Sequence, residues 1–244
     1  MRKIHIGTMG WSYDFWKGNF YPEGAQELLI EYAKNFDTVE INNTFYRIPS
    51  RDTVRNWKEE VPDDFIFSAK FPRKITHIKM LQECGEELDV FIDHISLLGD
   101  KLGPLLMQFP PAFKPEKTEI LKDFLADLPE NYRFAVEVRN KKWLDEKFYE
   151  LLRDNGVALV LIDHPWMPEM NAITADFTYI RWEGDRNKIK GVIGKVEKDR
   201  SNDLKDWRIK IKGFLNESVE VFGYFSKSYS GYPPGDVRML LEIF

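Results

Sequence analysis

Thr38-Val39-Glu40-Ile41-Asn42-Asn43-Thr44-Phe45-Tyr46-Arg47 reads as a short β-branched strand that runs into a carboxylate, two amides, a hydroxyl, a phenol and a guanidinium. Side chains alternate faces along a strand, so Val39 and Ile41 share one side while Thr38, Glu40 and Asn42 share the other. A buried Glu needs a partner, so Glu40 either meets a cation inside the fold or marks an open pocket at the end of its strand. Residues 133–139 repeat the pattern: Phe134, Val136 and Val138 point one way, Glu137 and Arg139 the other.

Further strands are predicted over 4–8, 65–71 with Ser68 and Lys70 on one face, 104–109 ending in Gln108, 157–163, 177–181 ending in Arg181, and 219–226. The apolar run 157–163 has the character of a buried parallel strand, and its last residue, Asp163, is expected to point inward with the others. Helical periodicity separates most of these strands. The link from the sixth to the seventh passes through Pro165 and Pro168 and is too broken for a full helix. Eight strands alternating with helices in one chain predict a single α/β domain over residues 1–244, a closed TIM-type (β/α)8 barrel. An open doubly wound sheet is the second architecture; Gly7-Thr8-Met9-Gly10 lacks the spacing of a dinucleotide-binding turn.

The chain has 244 residues, a net charge of −5 and a pI near 5.6, which argues against a surface built wholly for nucleic acid. Its single cysteine, Cys84, allows no intrachain disulfide, and a reducing cytoplasm fits best. The start of the chain turns polar before a signal-peptide core could form, and no run approaches membrane-spanning length.

In a barrel, the C-terminal strand ends converge where active sites of this fold lie. That places Glu40, Lys70, Glu137 and Asp163 as catalytic candidates. Asn42, Gln108, Arg139 and Arg181 would bind substrate beside them. Trp11, Tyr13, Trp16, Tyr46, Trp143 and Trp166 follow strands in loops, where they could stack on a sugar or a base, and Arg73 and His77 join the same rim. The competing structural reading pairs Glu40, Glu137 and Asp163 with Lys70, Arg139 and Arg181 in an ionic core without function. No cofactor motif is present, and no His-x-His or His-Glu-x-x-His spacing indicates a metal. A hard cation such as Mg²⁺ would have to be held by Glu40, Glu137, Asp163 and His164.

These motifs, together with 6–13, Phe20-Tyr21-Pro22, Leu102-Gly103-Pro104, Gln108-Phe109-Pro110-Pro111 and Tyr179-Ile180-Arg181, resemble the YecE-like family of TIM-barrel proteins, domain of unknown function 72. The resemblance covers nearly the whole chain. It implies a TIM barrel, imperfect around the sixth and seventh units, and supplies no settled activity. The family tends to carry His where this chain has Asn140 and Glu183, and Asn-Asn-His where it has Ser226-Lys227-Ser228. If those groups perform the family's chemistry, this member has a changed reaction or none.

Two functions follow. The first is an enzyme, a lyase, isomerase or hydrolase, acting on an anionic small molecule such as a phosphorylated sugar or nucleotide fragment. Glu40 and Glu137 would share acid and base roles, and Lys70 would polarise a carbonyl or form a Schiff base. On this reading, Glu40→Gln spares folding and abolishes turnover. The second is a nucleic-acid or nucleotide binding module without catalysis, using the loop aromatics, Arg73, Lys74 and the charged segment 188–200.

Overall fold

The computed structural model describes residues 4–244, and these contain all eight expected strands. They are β1 (Ile4–Met9), β2 (Thr38–Ile41), β3 (Ile66–Lys70), β4 (Leu102–Gln108), β5 (Phe134–Glu137), β6 (Ala158–Asp163), β7 (Phe177–Trp182) and β8 (Glu220–Phe225). Each pairs in parallel with the next, and β8 closes on β1. The fold is thus the closed barrel, and the open sheet is excluded. Helices α1 (Leu28–Ala33), α2 (Arg51–Glu59), α3 (Gly85–Ile95), α4 (Thr118–Ala126) and α5 (Glu146–Asp154) fill the first five crossovers. After these come α6 (Ser201–Asn216), between β7 and β8, and α7 (Pro233–Glu242). No helix among the described residues is long and apolar enough to cross a membrane.

The crossover from β6 to β7 has no α-helix, as its prolines predict. Thr174 takes over part of a helix's work there: its hydroxyl donates to Val157 O and accepts from Leu159 N, both at 2.7 Å. That pins the returning loop against the start of β6, with Met170 buried over the sheet. The free length of the loop carries His164, Trp166 and Met167 over the C-terminal mouth.

Strand alternation divides the core in two. Val39, Ile41, Phe67, Val136, Leu159, Leu161 and Ile180 pack outward under the helices, whereas Leu106, Ala135, Val160, Tyr179, Phe222 and Tyr224 form a separate cluster inside the barrel. The interior turns polar towards the mouth. Tyr224 Oη lies 2.9 Å from Thr38 Oγ1 and 2.7 Å from Ser68 Oγ, so one phenol ties β8 to β2 and β3. One layer above sit Glu40, Lys70, Gln108, Glu137 and Arg181, every one of them buried.

The loop after β7 is fixed by Gly184. Its φ is +66°, and a Cβ there would lie 2.1 Å from Ser228 O in the loop after β8. Gly184→Ala is therefore expected to cost about 1–3 kcal/mol in backbone strain and steric clash. Thermal denaturation measures this, and an unchanged midpoint would show that the two loops do not need their close approach.

Candidate active site

The end of β7 organises the mouth. Arg181, inward like Tyr179 two residues earlier, grips Glu40 with two nitrogens: Nε donates to Oε2 at 2.9 Å and Nη2 to Oε1 at 2.8 Å. Its Nη1 donates to Glu137 Oε2 at 2.6 Å and lies 2.8 Å from Glu183 Oε1. Tyr179 Oη and Asn42 Nδ2 complete Glu40, at 2.8 and 2.6 Å. Arg139 bonds Glu137 through Nε and Glu183 through Nη2, and Arg186 bonds the other oxygen of Glu183 at 2.9 Å. Burial alone would raise the Glu137 and Glu183 pKa values, but the surrounding guanidiniums outweigh it and hold both below the usual carboxylate range. Arg181 is correspondingly held above its ordinary value against its own desolvation.

Glu40 and Glu137 are fully buried and do not line the cavity above them. Both oxygens of each of these carboxylates are bound to neighbouring groups, Glu40 by Arg181, Tyr179 and Asn42 and Glu137 by Arg139 and Arg181, whereas Asp163 and Lys70, which the ionic-core reading paired as well, stand outside these ion pairs. Glu137, held below the usual carboxylate range by Arg139 and Arg181, has little capacity left to take up a proton.

Lys70 differs from them. At the end of β3, its Nζ donates to the neutral amide Oε1 of Gln108 at 2.9 Å and stands 4.1 Å from the Phe45 ring centroid. Gln108 is oriented by donating Nε2 to Phe109 O, and Thr44 Oγ1 holds the Lys70 carbonyl. Burial first, and then the nearby charge of Arg181, lower the Lys70 pKa to about 8. Among the described residues no carboxylate lies within ion-pair distance of this ammonium.

Above Lys70 lies a cavity of about 780 Å³. Its charged lining among the described residues is Lys70, Arg73, Arg139, Arg181, Arg186 and Lys227 against Glu183 alone. Two histidines stand on its walls. Burial, Lys70 and Arg73 push His77 down to about 4, and burial with Arg139 lowers His164, so both are neutral near pH 7. Tyr13 reaches the cavity but spends its hydroxyl on Met9 O at 2.6 Å, and burial chiefly raises its pKa to about 12. Tyr46 and Trp166 stand on the rim, 84% and 73% exposed.

Four sequence expectations move elsewhere. Asp163 faces outward: the ladder sets Ile162 opposite Arg181 and Asp163 opposite Trp182, and its carboxylate accepts from Trp207 Nε1 of α6 at 3.1 Å. Trp143 is buried, parallel to Phe113 and donating to Phe113 O at 2.8 Å. Trp16 is wholly buried against Tyr13 and Phe20. Trp11 packs edge-on to Trp57, off the cavity. The suggested Mg²⁺ ligands do not converge either. Glu40 and Glu137 are bound to Arg181, Asp163 to Trp207, and His164 Nδ1 accepts from Trp166 N. No group of three or more metal-ligating side chains assembles among the described residues.

Glu183, Arg186 and Phe45 are site residues that strand-end reasoning passed over, and His164, weighed there only as a metal ligand, joins them on the cavity wall. Glu183 continues the inward phase of Tyr179 and Arg181, so counting two residues further would have found it. Arg186, beyond Gly184 in an irregular loop, carries no such signal.

The sequence from residue 5 to 244 matches the family described as "Protein of unknown function DUF72". The chain belongs to the DUF72 family. The YecE protein of Escherichia coli K12 (UPF0759) is 32% identical over 179 residues, 70% of this chain and 64% of that protein, so the match spans slightly less than two thirds of the relative. The YunF protein of Bacillus subtilis 168 (UPF0759) is 26% identical, with 98% of this chain and 94% of YunF covered. Among solved structures, a DUF72 protein from Thermotoga maritima MSB8 shares 27% identity and a TM-score of 0.82 over 99% of both chains. The resemblance read from the residues is thereby shown, and so is the barrel.

Proposed function

We propose that this DUF72 protein is an enzyme that binds an anionic, carbonyl-bearing small molecule at the mouth of the barrel, with Lys70 as its nucleophile. A phosphorylated sugar is the type of substrate that fits. One observation carries the reading: a buried lysine with a lowered pKa, bonded to a neutral amide, at the floor of a cavity lined by six bases and one acid. A lysine held for structural charge balance would be expected to face a carboxylate. Here the carboxylates are spent on arginines, which leaves the amine available.

Arg139 and Arg186 would hold the anion, since planar guanidiniums bind phosphate or carboxylate oxygens in pairs. The neutral amine of Lys70 would attack the carbonyl carbon, and the resulting carbinolamine would lose water to give an imine. His77 or His164, both neutral, could carry the protons that this step moves. Such chemistry suits a lyase or an isomerase. Hydrolysis is less well supported, because the one carboxylate on the cavity wall, Glu183, is held by three arginines.

The test is reductive trapping. Incubation with dihydroxyacetone phosphate and sodium borohydride is expected to add a single adduct mapping to Lys70. Its yield should rise as the pH passes about 8, where the amine loses its proton. Adducts scattered over surface lysines, or equal labelling of a Lys70→Met variant, would overturn the assignment.

A further inference from the structure

We infer that the mouth holds a second anion subsite, so that its ligand is a small molecule carrying two phosphate-class groups. This extends the substrate reading above and rests on it. Between the loops after β2 and β3 lies a smaller recess of about 330 Å³, which shares Phe45, Tyr46 and Arg73 with the main cavity. Arg47 and Lys74 line only this recess.

Elsewhere on the surface Arg51, Arg55, Arg133 and Arg153 each form an ion pair with a carboxylate. The side chains of Arg47 and Arg73 have no hydrogen bond or ion pair among the described residues. The single acid on the wall, Glu87, is taken by Lys74 at 2.6 Å and by Lys79 at 2.9 Å. Two unpaired guanidinium groups therefore flank a concave site, a setting that favours a phosphate, whose oxygens can accept from both.

The aromatic residues connect the two sites. Phe45, whose ring centroid is 4.1 Å from Lys70 Nζ, lines both the main cavity and the recess, so one side chain belongs to both walls. Tyr46, largely exposed, offers a flat face between them against which a sugar ring can rest. The proposed ligand is a sugar bisphosphate, with one anion against Arg139 and Arg186 in the main cavity and the other against Arg47 and Arg73 in the recess that adjoins it.

Calorimetric titration at fixed ionic strength with fructose 6-phosphate and fructose 1,6-bisphosphate tests this. The native protein is expected to bind the bisphosphate at least about tenfold more tightly, and Arg47→Ala to bring the bisphosphate close to the affinity of the monophosphate. Equal affinities in the native protein, or an Arg47→Ala variant that weakens both ligands alike, would overturn the second subsite while leaving the main cavity intact. Failure of both sugars to bind would instead remove the substrate reading on which it rests. A single-stranded oligonucleotide that binds more tightly than the bisphosphate and depends on Arg47 would overturn it in favour of a nucleic-acid ligand.

Discussion

Arg181→Met is expected to lower the stability of the protein by about 3–5 kcal/mol, the cost of leaving buried carboxylates without their cation. Glu40 and Glu137 both lose hydrogen bonds from this one guanidinium, and both are fully enclosed. A domain is stable by only about 5–15 kcal/mol, so the variant should unfold at a far lower denaturant concentration. The triple variant Glu40→Leu, Glu137→Leu, Arg181→Met removes this cation together with the two carboxylates it serves, leaves Glu183 with Arg139 and Arg186, and is expected to recover part of the loss, since replacing buried ion partners together by apolar groups costs less than orphaning one of them. Denaturation of all three proteins, native, single and triple, decides the matter; a single variant as stable as the native chain would show that the carboxylates are solvated. The same geometry revises the expectation for Glu40→Gln. Glu40 accepts from Arg181, Tyr179 and Asn42, so this substitution should destabilise the fold as well as disturb the site.

Lys70→Met is expected to do the opposite. It should lower turnover of a carbonyl substrate by at least about 10²-fold, yet leave the protein as stable as before or more so. A buried ammonium without a carboxylate partner weakens the fold. The folded-state pKa of about 8 lies below the ordinary lysine value of 10.5. Below pH 8 the side chain is charged in both states, and its burial costs on the order of 3 kcal/mol. Between about pH 8 and 10.5 the unfolded chain binds more protons than the folded one, so this contribution to stability rises with pH until the penalty is gone. Melting curves across that range should show a slope in the native protein that Lys70→Met lacks. A methionine variant that melts lower throughout, with trapping unchanged, would mean that the ammonium supports the fold and plays no part in chemistry.

Strand phase carried most of what the sequence revealed. Glu40, Lys70 and Glu137 were legible because each sits in an alternating strand whose apolar face fixes the direction of its polar face, and Gln108 and Arg181 because each is the polar residue that ends its strand. Asp163 was misread for the same reason. Its strand is apolar on both faces, so no residue marks the phase, and only the ladder to β7 shows which way the last side chain turns. The tryptophans failed because composition cannot distinguish a loop aromatic that caps the core from one that faces solvent. Trp143 and Trp16 are buried, whereas Trp166, in the crossover without a helix, has no layer to enter. The largest revision concerns chemical role. Sequence placed carboxylates and a lysine at one end of a barrel, but only distances reveal that arginines have claimed the carboxylates and passed over the lysine.

The pairing of Glu40 with Arg181 has a kinetic consequence. The two residues are 141 positions apart, and the arginine that completes the second strand is made only in the seventh. On a chain emerging from the ribosome the native partner of Glu40 is missing until residue 181 has been made, nearly three quarters of the way along the 244 residues. Half-barrel fragments would each carry one side of an unmatched charge. Folding of this protein should therefore be late and all-or-none, with the last contacts to form lying in the layer directly beneath the cavity.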